Sequence, residues 1–335
     1  MNSPDTPGSC VTTMRAVVAE RFGSPSTLAV RPVALPRLAE GHVRVRVRAV
    51  SLNPADWHGV VGRPFIARPS LGLRSPKRLV PGTDIAGTVD EIGPGVTSFA
   101  PGDEVFGFVS GGGCAEYASV PEATLAPKPA AVSFDAAACA GVAAFTALQA
   151  VRDVARLDAG KHVLVNGATG GVGHFAVQIA KSMGGEVTAV CSTAHVDAAR
   201  SLGADHVIDY STIDFTTGST RYDAILDSPG NRSLRDCRRV LEPDGVYGLI
   251  GGSKAPVLGP IPRLVAARLL GLVSSQRFAL VFGRETPQDL DVLRAMLDDG
   301  SIRPMVSRTM SLDEVPSALV EIGHGHTLGK LVAHP

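Results

Sequence analysis

The stretch from Lys161 to Lys181 constrains the fold of this chain more than any other. It opens on a short β-branched run, Val163 to Val165, that reads as a buried strand. A glycine-dense turn follows, and then apolar residues at helical spacing: Val172, Phe175, Ala176, Ile179 and Ala180. Within the turn, Ala168, Gly170 and Gly173 stand in the G-x-G-x-x-G frame, with alanine in the first place. Gly170 lacks a Cβ that would keep backbone amides from a pyrophosphate, and Gly173 lets the helix pack close to its strand. The helix N-terminus adds partial positive charge. Strand, turn and helix in this order predict a nucleotide-phosphate turn spanning Ala168, Thr169, Gly170, Gly171, Val172 and Gly173.

A second strand is expected over Glu186 to Val190, followed by Cys191-Ser192-Thr193-Ala194-His195. About 20 residues beyond the turn, an NAD-preferring fold carries Asp or Glu for the ribose 2′-hydroxyl. No carboxylate stands there, and the first acid is Asp197. Hydroxyls and an imidazole tolerate a 2′-phosphate, so NADPH is expected over NADH.

Before Ser133 the chain reads as short strands and turns. Met14 to Val18 predicts a first strand. His42 to Val50 alternates arginine with valine, a half-exposed strand whose arginines form a solvated face. Ser51 to Gly59 gathers Asn53, Pro54, Asp56, Trp57 and His58 into a segment expected to be irregular, either a satisfied cap or part of an active site. Further strands are expected in Pro81–Gly93, Pro101–Phe108 and Cys114–Val120. From Ser133 to about residue 252, helices and strands alternate, which predicts a doubly wound α/β domain. Tyr222–Asp227 and Gly245–Gly252 are its later strands, and Gly251 and Gly252 fall at the carboxyl edge where ligands bind. Ile261–Val281 is expected to form one or two amphipathic helices. Pro287–Leu297 is a helix with Thr286 as N-cap and Asp289 in its first turn. Asp313–Ile322 is a short helix, and a strand ends the chain.

The 32 basic and 32 acidic residues balance, leaving no basic field for nucleic acid or an anionic membrane. The five cysteines include no C-x-x-C pair, which points to reduced thiols in a cytoplasmic protein. Residues 1–13 are polar and read as a disordered leader. The apolar run Ala136–Val151 is too short for a membrane span.

Several motifs now occur in order: Leu52-Asn53-Pro54-Ala55-Asp56, Pro81-Gly82-Thr83-Asp84-Ile85-Ala86-Gly87, Gly102-Asp103-Glu104-Val105-Phe106-Gly107, Ala115-Glu116-Tyr117 and Gly167-Ala168-Thr169-Gly170-Gly171-Val172-Gly173. From about residue 14 onward the chain resembles the zinc-independent quinone oxidoreductase branch of the medium-chain dehydrogenase/reductase superfamily. The resemblance implies an α/β protein: a GroES-like β-barrel catalytic domain over 14–132, completed by 300–335, and a Rossmann doubly wound parallel-sheet domain over 133–299. It implies catalytic placement of Asn53 and Asp56 beside a nicotinamide ribose. His58, where many relatives have tyrosine, is then either a donor to the substrate oxygen or a structural residue. Thr146 matches a threonine near the nicotinamide. Ser192, Thr193, His195 and Tyr210 match positions around the adenosine 2′-phosphate. His195 replaces a common lysine, which leaves NADH use open. Lys330 is expected either to close the cleft or to serve the structure.

Zinc-dependent relatives carry a cysteine where Asn53 stands and Gly-His-Glu where Gly82-Thr83-Asp84 stands. A Zn²⁺ site needs convergent Cys, His or carboxylate ligands, so no metal is expected. Without a Lewis acid, hydride delivery to an electrophilic quinone or α,β-unsaturated carbonyl is easier than alcohol oxidation. The expected partner is such a small molecule; relatives are often dimers through their Rossmann domains, which leaves the oligomeric state, a homodimer included, open. The competing readings are a stand-alone enoyl reductase of specialised metabolism and a low-turnover nucleotide-binding partner protein.

Overall fold

The computed structural model describes residues 12–77, 79–251, 257–259, 261–271, 274–281, 283–325 and 327–335. Most of the leader, Gly252 and Phe282 lie outside them. In chain order, β1 (Thr13–Val18), β2 (Ala29–Ala34) and β3 (His42–Ser51) precede α1 (Pro54–Val61) and the single turn α2 (Arg68–Leu71). β4 (Asp84–Ile92), β5 (Glu104–Phe108), β6 (Tyr117–Pro121) and β7 (Leu125–Pro127) follow, then α3 (Phe134–Cys139) and α4 (Val142–Gln149). The next run is β8 (His162–Asn166), α5 (Gly173–Ser182), β9 (Glu186–Cys191), α6 (Val196–Ser201), β10 (His206–Asp209), β11 (Tyr222–Asp227), α7 (Leu234–Arg239), β12 (Leu241–Leu249), α8 (Ile261–Gly271) and β13 (Arg277–Leu280). The chain ends with α9 (Pro287–Asp298), β14 (Val306–Ser311), α10 (Val315–His324) and β15 (Lys330–His334).

Valines at alternate positions of β3 point inward, and Val43, Val45 and Val47 are buried in a core shared with β4, β5 and α10. The outer arginines are not merely solvated, because Arg44 pairs with Asp90 at 2.8 Å and with Glu91. This seven-stranded sheet has the order β14-β15-β3-β4-β5-β7, with β6 on β3. β15 pairs antiparallel with the end of β3, Val332 opposite Ser51. The last residues of the chain thereby sit beside the start of α1.

The second sheet is six-stranded with the order β10-β9-β8-β11-β12-β13, and all its pairs are parallel. Order reverses between β8 and β11, which opens a crevice at their carboxyl ends. α5 covers one face with Phe175, Ala176, Ile179 and Ala180, all fully buried. Such α/β layering is what strands hydrophobic on both faces require.

Three expectations are corrected. Ser51–Gly59 is not irregular: β3 runs through Ser51, and α1 begins at Pro54, a residue suited to the first helical turn. Ile261–Val281 contains one helix, α8, but Arg277–Leu280 is a strand held by β12. The strand expected from Cys114 begins at Tyr117. Thr286 caps α9 as expected, its side chain accepting from the Asp289 N–H. Among the described residues no helix is long and apolar enough to cross a membrane.

Candidate active site

The turn after β8 is built from backbone. Gly167 adopts φ +79°, a conformation that disfavours side chains, and its N–H and that of Ala168 both donate to Val190 O at 3.1 Å. The tight turn is thus made by Gly167, one residue before the frame, which explains why a fully buried alanine is accepted at 168. A Cβ on Gly173 would lie 2.1 Å from Gly167 O and 2.8 Å from Ala168 Cα, so α5 can meet β8 this closely only with glycine there. A Cβ on Gly170 would stand 3.3 Å from Gly167 O, and one on Gly171 3.6 Å from Lys330 Cδ. The N-terminus of α5 therefore faces the crevice with little side chain in front of it. That bare main chain fits a dinucleotide pyrophosphate.

His174 braces this turn, and sequence reasoning did not assign it a role. It is fully buried, burial pushes its pKa down to about 4, and the neutral ring bonds Gly170 O through Nδ1 at 2.9 Å.

At the β9 end, His195 Nδ1 lies 3.3 Å from Ser192 Oγ and 3.4 Å from Thr169 Oγ1. The Thr193 hydroxyl donates to Asp209 Oδ2 at 2.6 Å, and the Tyr210 N–H donates to Cys191 O at 3.0 Å. The structure thus brings Ser192, Thr193, His195 and Tyr210 together at this end, with Thr169 of the turn beside His195. It also brings in a carboxylate that the sequence hid. Asp209 arrives on β10, and hydrogen bonds from Thr193 and Ser211 hold its pKa below the usual carboxylate range.

Between the two sheets lies a buried polar cluster. Lys330 Nζ donates to Leu52 O at 3.1 Å and to Asn53 Oδ1, and stands 3.7 Å from Asp84 Oδ2. Asn53 Nδ2 donates to Asp84 Oδ2 at 2.9 Å, and the Val142 N–H at the start of α4 donates to Asp84 Oδ1 at 3.0 Å. Asp56 accepts from the Asn53 N–H at 2.8 Å and the Gly82 N–H at 2.9 Å. Burial raises the Asp56 pKa to about 6, with those two N–H bonds opposing and the Asp84 charge adding to it. Burial also raises Asp84, against the pull of Lys330. The cluster adjoins the phosphate turn, since the Gly329 N–H donates to Thr169 O at 2.8 Å.

The remaining expected residues differ in their engagement. Thr146 is buried on α4 and spends its hydroxyl proton on Val142 O at 2.7 Å. His58 is half-buried on α1, with Nδ1 2.7 Å from Arg63 O. Its ring packs edge-on against Trp57, with the ring centroids 4.9 Å apart. Gly251 crosses closely over Ser228, where a Cβ would stand 2.3 Å from its carbonyl oxygen. Next to it, buried Asp227 accepts from Asn166 Nδ2 at 2.8 Å, the Gly230 N–H at 2.9 Å and Tyr247 OH at 2.5 Å. Arg263 of α8 donates to Tyr247 OH at 2.6 Å. Sequence reasoning missed this network because its members are far apart in the chain.

Comparison with known proteins agrees with this architecture. Residues 39–130 match the alcohol dehydrogenase GroES-like domain, and residues 202–332 match the zinc-binding dehydrogenase family. The chain is 32% identical over 318 residues to a chloroplast envelope quinone oxidoreductase homolog of Arabidopsis thaliana, covering 91% of this chain and 92% of that one. It is 31% identical over 336 residues to the 2-methylene-furan-3-one reductase of Solanum lycopersicum, covering 96% and 79% respectively. The quinone oxidoreductase from Coxiella burnetii superposes with a TM-score of 0.85 at 28% identity, covering 96% of this chain and 99% of that one. With its GroES-like sheet, its parallel nucleotide sheet and these relatives, the chain belongs to the quinone oxidoreductase branch of the medium-chain dehydrogenase/reductase superfamily and is an NAD(P)H-dependent oxidoreductase.

Proposed function

We propose that this enzyme takes NADPH in preference to NADH and reduces a quinone or an α,β-unsaturated carbonyl without a zinc ion. The observation that carries this reading is the Lys330 cluster. Where zinc-dependent relatives gather metal ligands, this chain places an amine hydrogen-bonded to Asn53 Oδ1 and 3.7 Å from Asp84. The carboxylates beside it already accept backbone N–H groups. Cys114 and Cys139 lie close by, but burial pushes Cys139 up to about 12 and raises Cys114 well above its usual value. They are held as thiols, whereas Zn²⁺ needs thiolate, imidazole or free carboxylate. The donor set does not fit a catalytic zinc.

It does fit a nicotinamide coenzyme, which when bound supplies a hydride. Residues Gly167 to Gly173 would hold the pyrophosphate, and Ser192, Thr193 and His195 the adenosine end. The Asp209 carboxylate would repel a 2′-phosphate there and so leaves room for NADH as well. Asn53, Asp84 and Lys330 fix the amide and ammonium at the inner wall of the cleft, while Thr146 and Asp56 hold the backbone of α4 and of the Gly82 loop. Asp56 is a poor proton donor, because both its oxygens face N–H groups. A protonated His58 donating from Nε2, or solvent, delivers the proton. The four described cysteines are free and buried, in keeping with a reducing, cytoplasmic setting.

The test is steady-state oxidation of NADPH with 9,10-phenanthrenequinone and with a short enone, before and after chelation. Turnover unaffected by chelator is the expected result. Loss of activity on chelation, or turnover of neither acceptor by protein that binds NADPH, would overturn the reading and favour a metal-dependent reaction or a carrier-bound enoyl substrate.

A further inference from the structure

Three neighbouring strands of the parallel sheet each begin on a side chain able to ligate a metal. β8 opens on His162, β9 on Glu186 and β10 on His206. In the ladder His162 stands opposite Glu186, and His206 opposite Thr188. Strand pairing therefore brings together residues that no sequence spacing connects. One donor atom from each of the three lies within 4.8 Å of the other two. His206 Nε2 is 2.7 Å from Glu186 Oε1, and the two imidazole centroids are 5.8 Å apart.

We propose that His162, Glu186 and His206 form a binding site for one divalent transition-metal ion of the zinc type, with water completing the shell. Two imidazoles and a carboxylate suit Zn²⁺, Ni²⁺ or Cu²⁺ better than Mg²⁺ or Ca²⁺, which prefer all-oxygen ligands. Tetrahedral Zn²⁺ with ligands at about 2.0–2.2 Å sets its donors about 3.3 Å apart. The present donors need to draw in by about 1.5 Å at most, within reach of side-chain rotation because Glu186 and His206 are exposed. His162 is half-buried and held from below, its Nε2 2.7 Å from Thr188 Oγ1 and its ring edge-on to Tyr222 at 4.8 Å. One further carboxylate adds negative potential: Asp223, which accepts the His162 backbone N–H at 2.8 Å.

The site lies at the amino ends of the strands, on the edge opposite the phosphate turn, and takes no part in the proposed reduction. A bound ion would pin β8, β9 and β10, whose far ends carry the phosphate turn, the Ser192–His195 loop and Asp209. At a free Zn²⁺ concentration one hundred times Kd, the folding equilibrium shifts about a hundredfold toward the native state.

The experiment uses the full chain in a Cys10→Ser background, stripped with EDTA, dialysed and titrated calorimetrically with ZnCl₂. The expected result is one equivalent bound, with affinity falling at least about tenfold in His206→Ala and in Glu186→Gln, as for loss of one charge-assisted ligand. Zinc should also raise the urea midpoint of the parent by more than that of either variant. NADPH oxidation by both variants, unchanged without zinc, shows that they are folded. No saturable binding by the parent, or equal affinity and stoichiometry in parent and variants, would overturn the assignment.

Discussion

Replacing Lys330 with methionine keeps the bulk of the side chain and deletes its charge. Lys330 is 3% exposed, Asp84 is fully buried, and Nζ stands 3.7 Å from Asp84 Oδ2. Two unit charges at that distance attract by about 4 kcal/mol at an effective dielectric of about 20. Removing one partner of a buried pair costs about 3–5 kcal/mol, because the survivor is left uncompensated. Asp84 retains the Val142 N–H and the Asn53 amide, so the loss should fall near the lower end, about 3 kcal/mol. Urea denaturation at pH 7, followed by circular dichroism and by the fluorescence of Trp57, measures it. Adding Asp84→Asn should restore part of the stability, since Asn53, freed from Lys330, can turn its amide oxygen toward the new NH₂ group. The double-mutant cycle should return a coupling of about 2 kcal/mol. A Lys330→Met cost below about 1 kcal/mol, or strict additivity, would refute the reasoning that this amine holds the buried carboxylates.

Three further outcomes are expected. Asp209→Asn and His195→Lys should each raise the ratio of NADPH to NADH affinity, read by titrating both coenzymes; unmoved ratios would remove these residues from the adenosine site. The folded pKa of Asp56, raised from 3.8 to about 6 by burial, means this carboxyl favours folding most below about 3.8 and loses that contribution as pH rises through about 6, up to about 3 kcal/mol in all. Unfolding free energies between pH 4 and 7 should therefore slope less steeply downward in Asp56→Asn, and an identical slope would contradict the shift. His58→Phe should slow enone reduction about a hundredfold while quinone reduction changes much less, if the ring donates to the substrate carbonyl oxygen; equal effects would leave His58 a packing residue.

What could be read before folding was what is encoded locally. The β-branched run, the glycines and the helical spacing from Lys161 to Lys181 fall on β8, the turn and α5, and Tyr222–Asp227 was legible to the residue, because both are continuous apolar strands or strongly periodic. Arg277–Leu280 was misread because four residues become a strand only by pairing with β12. Ser51–Gly59 looked irregular because its polar residues are unusual in a helix, yet Asn53 and Asp56 are spent at the N-terminus of α1 and on neighbouring elements. Lys330 was the hardest to place. Its partners lie 277 and 278 residues away and meet it only through the β15–β3 pairing. Asp209 and the His162–Glu186–His206 cluster were hidden for the same reason, since sheet order rather than spacing assembles them.

The central claim is that bare main chain from Gly167 to Gly173 grips a reduced pyridine nucleotide. Titrating the purified protein and Gly173→Val with NADPH, monitored by coenzyme fluorescence, tests it most directly. The wild type should bind saturably, and the variant, whose Cβ alone would stand 2.1 Å from Gly167 O, should lose that binding while retaining its circular dichroism. A wild type that ignores both NADPH and NADH, or a variant with unchanged affinity, would contradict the account.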